Sequence, residues 1–316
     1  MRFLAVVLLA CVASAAQAQD YPTRAIRLLT PAAPGGTTDL LARLFGAKLS
    51  ESLGQQVIVD NRASASGVVA GDMTAKAPPD GYTLLLAYHQ HTVNAVLNPN
   101  LPYHVVNDFT PITQLTAAGF LLLVNPASPP HTLQEFIDWT KRAAVPMNFG
   151  SAGLGTGGHL AGELYKQMTG VKAQHIPYKG SGPSFIDLIG GRYDFTFAGL
   201  QGAQAQVRGG KLRAIAVTTP KRLAAMPDVP AVAEVLPGFE VVGWYGVIGP
   251  AGMPAGLVKR LHDELVRALA LPDVRQRIAA DGAEPVGSAP GEFRDFMAAD
   301  FAKWAKLVKE SGAKLD

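Results

Sequence analysis

Two glycine-rich segments have the residue types and spacing of an anion-binding site. The first is Pro34-Gly35-Gly36-Thr37-Thr38-Asp39, and the second runs from Gly150 to His159. Each lies between a predicted strand and a predicted helix, where backbone amides lack intrahelical partners and the helix dipole is positive. Each is therefore predicted to bind an anion, above all a carboxylate. The alternative for the first is a plain turn in which Thr38 or Asp39 caps the helix.

The second segment also contains the dinucleotide-binding pattern Gly153-x-Gly155-x-x-Gly158. That fingerprint needs an acidic residue about 20 positions further on, at the end of the next strand, to hold the ribose. The next predicted strand ends in Ile176-Pro177-Tyr178-Lys179 and has no carboxylate there. The sequence therefore disfavours a dinucleotide, and no cofactor is predicted.

Other catalytic patterns are missing from the sequence. It has no G-x-S-x-G, G-x-x-x-x-G-K-[ST] or H-E-x-x-H segment. His89 and His91 would share one face of a strand, but no third metal ligand is indicated, so they are predicted to line a cleft or to bond locally. His159 is either structural or a ligand contact, and Tyr178 either reaches a cleft or lies in a polar turn. No nucleophile, base and orienting group assemble, and the sequence predicts no enzyme.

Strand-like runs alternate with helical patterns along the chain. The order β-α-β-α-β from 26 to 87 predicts a parallel sheet covered by helices, and a second set of such units runs from 120 to 218. A long strand at 239–248 follows, and then three helices at 257–269, 273–280 and 290–310. The prediction is an α/β protein with two α/β units.

The N-terminus has the pattern of a secretory signal peptide over residues 1–18. Arg2 precedes an apolar run over residues 3–13, and Ala16-Gln17-Ala18 is a cleavage signal, so the exported chain is predicted to begin at Gln19. The only cysteine, Cys11, lies in this segment, and its lipidation is not expected. Net charge is +3, from 28 Lys and Arg against 25 Asp and Glu, which argues against a nucleic-acid partner.

Several ordered blocks over the mature chain resemble the Bug family of periplasmic solute-binding proteins, the receptor components of tripartite tricarboxylate transporters. Besides the two glycine-rich segments, the blocks are Asp60-Asn61-Arg62, Pro79-Asp80-Gly81-Tyr82-Thr83-Leu84-Leu85, Pro177-Tyr178-Lys179-Gly180, Pro227-Asp228-Val229-Pro230, Gly243-Trp244-Tyr245-Gly246 and Pro250-Ala251-Gly252. The resemblance implies a receptor in the periplasm, expected to be a monomer, whose partners are the permease subunits of such a transporter.

The resemblance also implies a type II periplasmic binding-protein fold, in which two α/β domains joined by two crossing strands enclose a ligand cleft. Domain I is expected at 19–117 and 246–316, and domain II at 118–245. The crossing strands are expected near 117–122 and 244–248.

In the family, a ligand carboxylate is held by backbone amides and waters from the two glycine-rich loops, and specificity comes from more variable positions. Relatives with an acidic residue near Ala198 and Gly199 can contact an amino group, and its absence here favours a carboxylate without an amine. The Thr156 hydroxyl is expected to face the solvated cleft and to contribute little to stability. The expected ligand-binding residues are Gly35, Gly36, Thr37, Thr38, Tyr88, His89, His91, Thr92, Ser151, Gly153, Gly155, Thr156, Tyr178, Ala198 and Gly199.

The leading hypothesis is a receptor that binds a small organic carboxylate and delivers it to a membrane transporter. Two alternatives stay open from the sequence: a sensor that presents its ligand to a signalling partner, and an exported α/β enzyme.

Overall fold

The computed structural model describes residues 21–311, except 33, 36, 64–66, 99, 224 and 281. The predicted signal peptide, Cys11 and the ligand-binding prediction for Gly36 lie outside these residues. Within them, no helix is long and apolar enough to cross a membrane.

The first lobe is built on the parallel strands β1, β2 and β3, with β1 in the centre. Leu41, Phe45 and Leu49 form the buried stripe of α1, and Gly54, at φ 69°, follows its last turn. The predicted β-α-β-α-β order is confirmed. The elements are β1 (Ile26–Thr30), α1 (Thr37–Leu53), β2 (Val57–Asn61), α2 (Val68–Ala75), β3 (Thr83–Tyr88) and α3 (Gln90–Leu97).

Two long strands connect this lobe to the rest of the chain. Strand β4 (Phe109–Val124) pairs antiparallel with β9 (Val242–Pro250) as far as Gly119, and from Phe120 onwards it pairs with strands of the second lobe. The apolar pattern predicted a strand from 120, and the resemblance implied a crossing strand near 117–122. The first half of β4 was not predicted, because polar residues such as Thr113 and Gln114 interrupt its apolar run. The domain boundaries predicted after 117 and 245 lie close to this change of partner and remain predictions.

The second lobe repeats the parallel arrangement with β5 between β6 and β7, while β7 and β8 run antiparallel to β4. Its predicted alternation of strands and helices is confirmed. The elements are α4 (Leu133–Arg142), β5 (Met147–Ser151), α5 (Gly157–Thr169), β6 (Ala173–Pro177), α6 (Ser181–Ile189), β7 (Phe195–Gly199), α7 (Leu200–Arg208) and β8 (Arg213–Val217).

The last helix packs on both lobes. Phe293 belongs to the first-lobe core around Trp244, whereas Trp304 and Leu307 belong to the second-lobe core around Phe197. The three predicted C-terminal helices are confirmed, and a short strand that the sequence did not indicate pairs with β4. The elements are α8 (Ala255–Ala270), α9 (Pro272–Ala280), β10 (Ala283–Pro285) and α10 (Pro290–Ser311).

Candidate ligand-binding cavity

A cavity of about 320 Å³ lies between the two lobes, a volume that suits a small organic molecule. Its floor is formed by the crossing strands, and Thr116, Ala118 and Phe120 share one face of β4 there, because side chains on a strand alternate between faces. The floor consists of Thr116, Ala118, Gly119 and Phe120 on β4, and Gly243 and Tyr245 on β9. The remaining lining residues are Thr37, Leu41, His89, Ser181, Gly199, Leu200, Gly202, Ile278 and Ala283.

Three helices of the described chain begin at this cavity. Thr37 is the first residue of α1, Ser181 of α6 and Leu200 of α7, and all three line it. Helix α1 belongs to the first lobe, whereas α6 and α7 belong to the second. Each helix start brings amides without intrahelical partners and the positive end of a dipole. The lining residues include no Lys, Arg, Asp or Glu, so within the described part of the chain this positive potential comes without a charged side chain.

His89 contributes an uncharged ring to the cavity wall. Burial lowers its pKa to about 4, and the attraction of Asp300 offsets only part of that effect. Its ring meets Tyr88 edge to face at 5.4 Å and Phe120 at 6.4 Å between centroids. At neutral pH the ring therefore offers hydrogen bonding and aromatic surface, but no charge.

His91 and Thr92 face the interior of the first lobe. Strand β3 ends at Tyr88 and α3 begins at Gln90, so the expectation that His89 and His91 share a strand face is wrong. Nε2 of His91 lies 3.0 Å from the carbonyl of Val105, and the Thr92 hydroxyl donates to Asp300 at 2.6 Å. Neither side chain lines the cavity, because the helical turn directs both inward.

No metal centre is indicated near these histidines. Among the residues that the structure describes, no group of three or more His, Cys, Asp or Glu side chains could hold an ion.

The first glycine-rich segment is fixed by the buried carboxylate of Asp39. This group accepts hydrogen bonds from the Gly35 amide at 2.9 Å, from Arg43 Nε at 3.0 Å and from Asn61 Nδ2 at 2.9 Å. Burial alone would raise its pKa, but these donors lower the pKa of Asp39 to about 2. The amide of Gly35 thus has a protein partner, and the side chain of Thr38 is buried. Thr37 is the described residue of this segment that reaches the cavity.

The second glycine-rich segment uses its donors within itself. The Gly155 amide donates to His159 Nδ1 at 3.1 Å, and the Gly153 amide donates to Ser151 Oγ at 3.1 Å. Thr156 caps α5: its hydroxyl accepts from the His159 amide at 3.4 Å and donates to the Gly153 carbonyl at 2.7 Å. The structure gives this hydroxyl a capping role at the start of a helix, so we now expect it to contribute to stability, and its predicted role in the cleft stays a prediction.

Two stacked imidazoles lie beneath this segment. The rings of His159 and His175 are 4.0 Å apart, and His175 Nε2 lies 2.7 Å from Ser151 Oγ. Burial lowers the pKa of His159 to about 4, with a smaller contribution from Lys166, and burial together with His159 lowers that of His175 to about 3. Ser151 and His175 have the spacing of a nucleophile and a base, but Ser151 is fully buried and does not line the cavity, so a substrate in the cavity does not reach it. His159 is a structural residue of this cluster.

Close packing explains the paired glycines that follow. A Cβ on Gly157 would lie 2.0 Å from Phe120 Cζ, and one on Gly158 would lie 2.1 Å from the Phe197 carbonyl oxygen. Helix α5 therefore lies so close to β7 and to the cavity wall that only a residue without a side chain fits at these two positions. This requirement, rather than an open anion cradle, accounts for these two positions.

The remaining predicted residues divide between the cavity and its surroundings. Gly199 lines the cavity, whereas Ala198 is buried beside it and the Tyr178 hydroxyl donates to Asp187 at 2.9 Å. The structure thus brings Thr37, His89 and Gly199 together. The sequence did not single out Phe120 or Tyr245, and from the segment 178–182, which could reach a cleft, it led to Tyr178 as the site residue rather than Ser181. Phe120 and Tyr245 could have been found from the alternation of faces along a crossing strand, and Ser181 from its position at a helix start after a glycine.

Two lobes joined by crossing strands, with a cavity between them, define the class of two-domain solute-binding proteins. The family model described as tripartite tricarboxylate transporter family receptor matches residues 41–313, and the chain belongs to that family. The family named from the sequence blocks and the two-domain α/β fold are thereby confirmed.

Named relatives agree with this assignment. The chain is 37% identical to Protein BugT of Bordetella pertussis over 307 residues, which cover 96% of this chain and 94% of that protein. The solved structure of R. palustris Rpa4515 with adipate has a TM-score of 0.78 at 35% identity, covering 93% of this chain and all of that one. MatC from Rhodopseudomonas palustris with bound malate has a TM-score of 0.73 at 32% identity, covering 91% of this chain and all of that one.

Proposed function

We propose that this protein is a periplasmic receptor that binds a small organic carboxylate in the cavity between its lobes. It then delivers the acid to the membrane component of a tripartite transporter. The observation on which this rests is the convergence of three helix starts, at Thr37, Ser181 and Leu200, on a cavity whose described lining has no charged side chain.

Such a cavity suits an anion held by neutral donors. An acidic side chain would repel a carboxylate, and a buried cation would need its own partner when the cavity is empty. Helix-terminal amides avoid both costs, because they are fixed and have no net charge. The lack of an acidic lining residue also supports a ligand without an amino group. The relatives solved with adipate and malate hold acids of this size.

Binding without conversion fits both the site and the family. The Ser151 and His175 pair, which has the spacing of a catalytic pair, is closed off beneath the second glycine-rich segment. Transport rather than sensing follows from the family, whose members are receptors of tripartite transporters. We therefore expect the bound acid to be recovered unchanged after long incubation, and a strain lacking this gene to lose uptake of that acid.

A cavity-filling variant tests the site. Gly199 has no heavy atom within 4 Å of the position of a Cβ, and its φ of −56° suits any residue, so Gly199→Leu fills the cavity without strain. Gly256→Leu, on the exposed start of α8 with equally open surroundings, is the matched control. Calorimetry and thermal shift with mono-, di- and tricarboxylates are the measurements, since a ligand that binds the native state raises its melting temperature.

We expect at least one acid to bind the unsubstituted protein and Gly256→Leu alike, and Gly199→Leu to lose about a hundredfold or more in affinity. Equal affinity in all three proteins would place the site elsewhere. Turnover of a bound acid would contradict the receptor function itself.

A further inference from the structure

Thr116 lines the cavity floor, and its hydroxyl is buried without a partner in the part of the chain that the structure describes. Its side chain is 0% exposed, and its Oγ1 has no hydrogen-bond partner among the residues that the structure describes. It lies on the same face of β4 as Ala118 and Phe120, and all three line the cavity. Buried polar groups in native proteins nearly always have partners, so an unpartnered one calls for an explanation.

Other buried threonines show what a partnered hydroxyl looks like in this fold. Thr113, three positions earlier on β4, donates to the Ser288 carbonyl at 2.9 Å, and Thr218 donates to the Val241 carbonyl at 2.6 Å. The pairing of β4 with β9 shifts register between Gln114 and Thr116.

We propose that Thr116 is a ligand contact, whose hydroxyl donates a hydrogen bond to an oxygen of the bound acid at the crossing strands. This inference rests on the proposed function and assigns one more feature to the ligand. The acid must bear an oxygen beyond the carboxylate that the helix starts hold, either in a second carboxylate or in a hydroxyl. Both give Thr116 the same acceptor chemistry.

The contact has an energetic signature that a structural threonine lacks. In the empty protein the hydroxyl is desolvated without a partner, so Thr116→Val keeps the shape and removes an unfavourable group. In the complex the same change removes a hydrogen bond to the ligand. The substitution should therefore raise the melting temperature of the empty protein and weaken binding, two effects of opposite sign.

Thr30 provides a matched control. Its hydroxyl is also buried and without a partner among the described residues, but it lies on β1 and does not line the cavity. Thr30→Val should raise the melting temperature without changing affinity. Thr116→Ser, which retains the hydroxyl, should keep most of the affinity.

Two pairs of acids distinguish the possible oxygens: adipate against hexanoate for a second carboxylate, and malate against succinate for a hydroxyl. Calorimetry measures each acid on the unsubstituted protein and on the three variants. We expect Thr116→Val to lower the affinity for the oxygen-bearing acid of one pair by about tenfold to a hundredfold, and to change its companion by less than about threefold.

The two proposals fail in different ways. If the unsubstituted protein binds none of the mono-, di- and tricarboxylates of the screen, these four acids included, the proposed function fails and the contact fails with it. If it binds them and Thr116→Val binds each equally well, the contact alone is overturned. A fall in melting temperature in Thr116→Val, beside a rise in Thr30→Val, would also overturn the contact, since it would show a structural partner.

Discussion

The two glycine-rich segments have similar sequences but are held by different chemistry. In the first segment, the acceptor of the glycine amide's hydrogen bond is a carboxylate: Gly35 donates to Asp39. In the second segment, the acceptor is an imidazole: Gly155 donates a hydrogen bond to His159. The first segment sends Thr37 into the cavity, whereas the second is closed on itself. Similar composition therefore does not give similar access to a ligand.

The glycines also answer different needs. Gly35 has a φ of +87° and open space around a Cβ, so its backbone conformation is what requires glycine. Gly158 has no such conformation but lies against the Phe197 backbone, so the lack of a side chain is what requires glycine. Alanine substitutions at the two positions distinguish the requirement for a backbone conformation from the requirement for close packing.

The largest effect is expected from Gly158→Ala. Its Cβ would lie 2.1 Å from a backbone oxygen that cannot turn away, so α5 must shift from β7. We expect a loss of about 3 kcal/mol or more in the free energy of unfolding, measured with denaturant. Gly35→Ala, strained only in its backbone, should lose about 1 kcal/mol. Equal losses would remove the distinction between close packing and conformation.

A smaller effect is expected from Asp39→Asn. The amide keeps the shape of the carboxylate but turns an NH2 group towards one of three donors, and we expect a loss of about 2 kcal/mol. Because the folded state lowers the pKa of Asp39 from 3.8 to about 2, its contribution is complete above pH 3.8 and is lost as pH falls towards 2. Denaturant unfolding between pH 2 and 7 measures both. If the free energy of unfolding of the variant fell between pH 3.8 and 2 as steeply as that of the unsubstituted protein, Asp39 would not be the group responsible.

The second segment should weaken in milder acid. Because the pKa of His159 falls from 6.5 to about 4 on folding, the unfolded chain binds more protons between these values, and stability declines as pH falls through this window. His159→Asn retains an acceptor near Nδ1 but cannot be protonated, so its decline should be shallower by up to about 1.4 kcal/mol per pH unit. His89, His91 and His175, whose pKa values are also lowered on folding, add their own contributions to the decline in every variant. Asp39→Asn, which alters a group titrating below this window, should decline as steeply as the unsubstituted protein.

The smallest effect is expected from Thr156→Val. Loss of the cap on α5 should cost about 1 kcal/mol, and Thr156→Ser should restore most of it. Thermal unfolding of the three proteins is sufficient to measure this. A stable Thr156→Val with weakened carboxylate binding would instead restore the role that the sequence suggested.

Local patterns predicted most of the helices and strands, but not α3 or β10. The 3–4 spacing of Leu41, Phe45 and Leu49 marks α1 before any tertiary contact is known, and the alternation of strands and helices gives the α/β class. The full length of β4 was not predictable, because its partners are distant in sequence and bury polar threonines as well as apolar residues.

Cavity-lining residues at the starts of helices were predictable from the sequence, whereas those on the two crossing strands were not. Thr37 and Gly199 follow strands and precede helices, a pattern visible in the sequence, and both line the cavity. Phe120 and Tyr245 come from the middle of long strands, where only the pairing shows which face is turned to the cavity. His91 and Thr92 were placed wrongly because one turn of helix, beginning at Gln90, reverses their direction.

The C-terminal helix places two tryptophan side chains where their fluorescence can report movement of the lobes. Trp244, on a crossing strand, and Trp304, where α10 enters the second lobe, both donate to the carboxylate of Asp300, at 3.1 Å and 2.8 Å. Any rotation of one lobe against the other must strain, bend or slide this junction, because α10 is packed at both ends. Indole emission responds to such a change in a nearby charge. Lobe movement should thus be readable from intrinsic fluorescence in unlabelled protein, with Trp139 on α4 as a constant background.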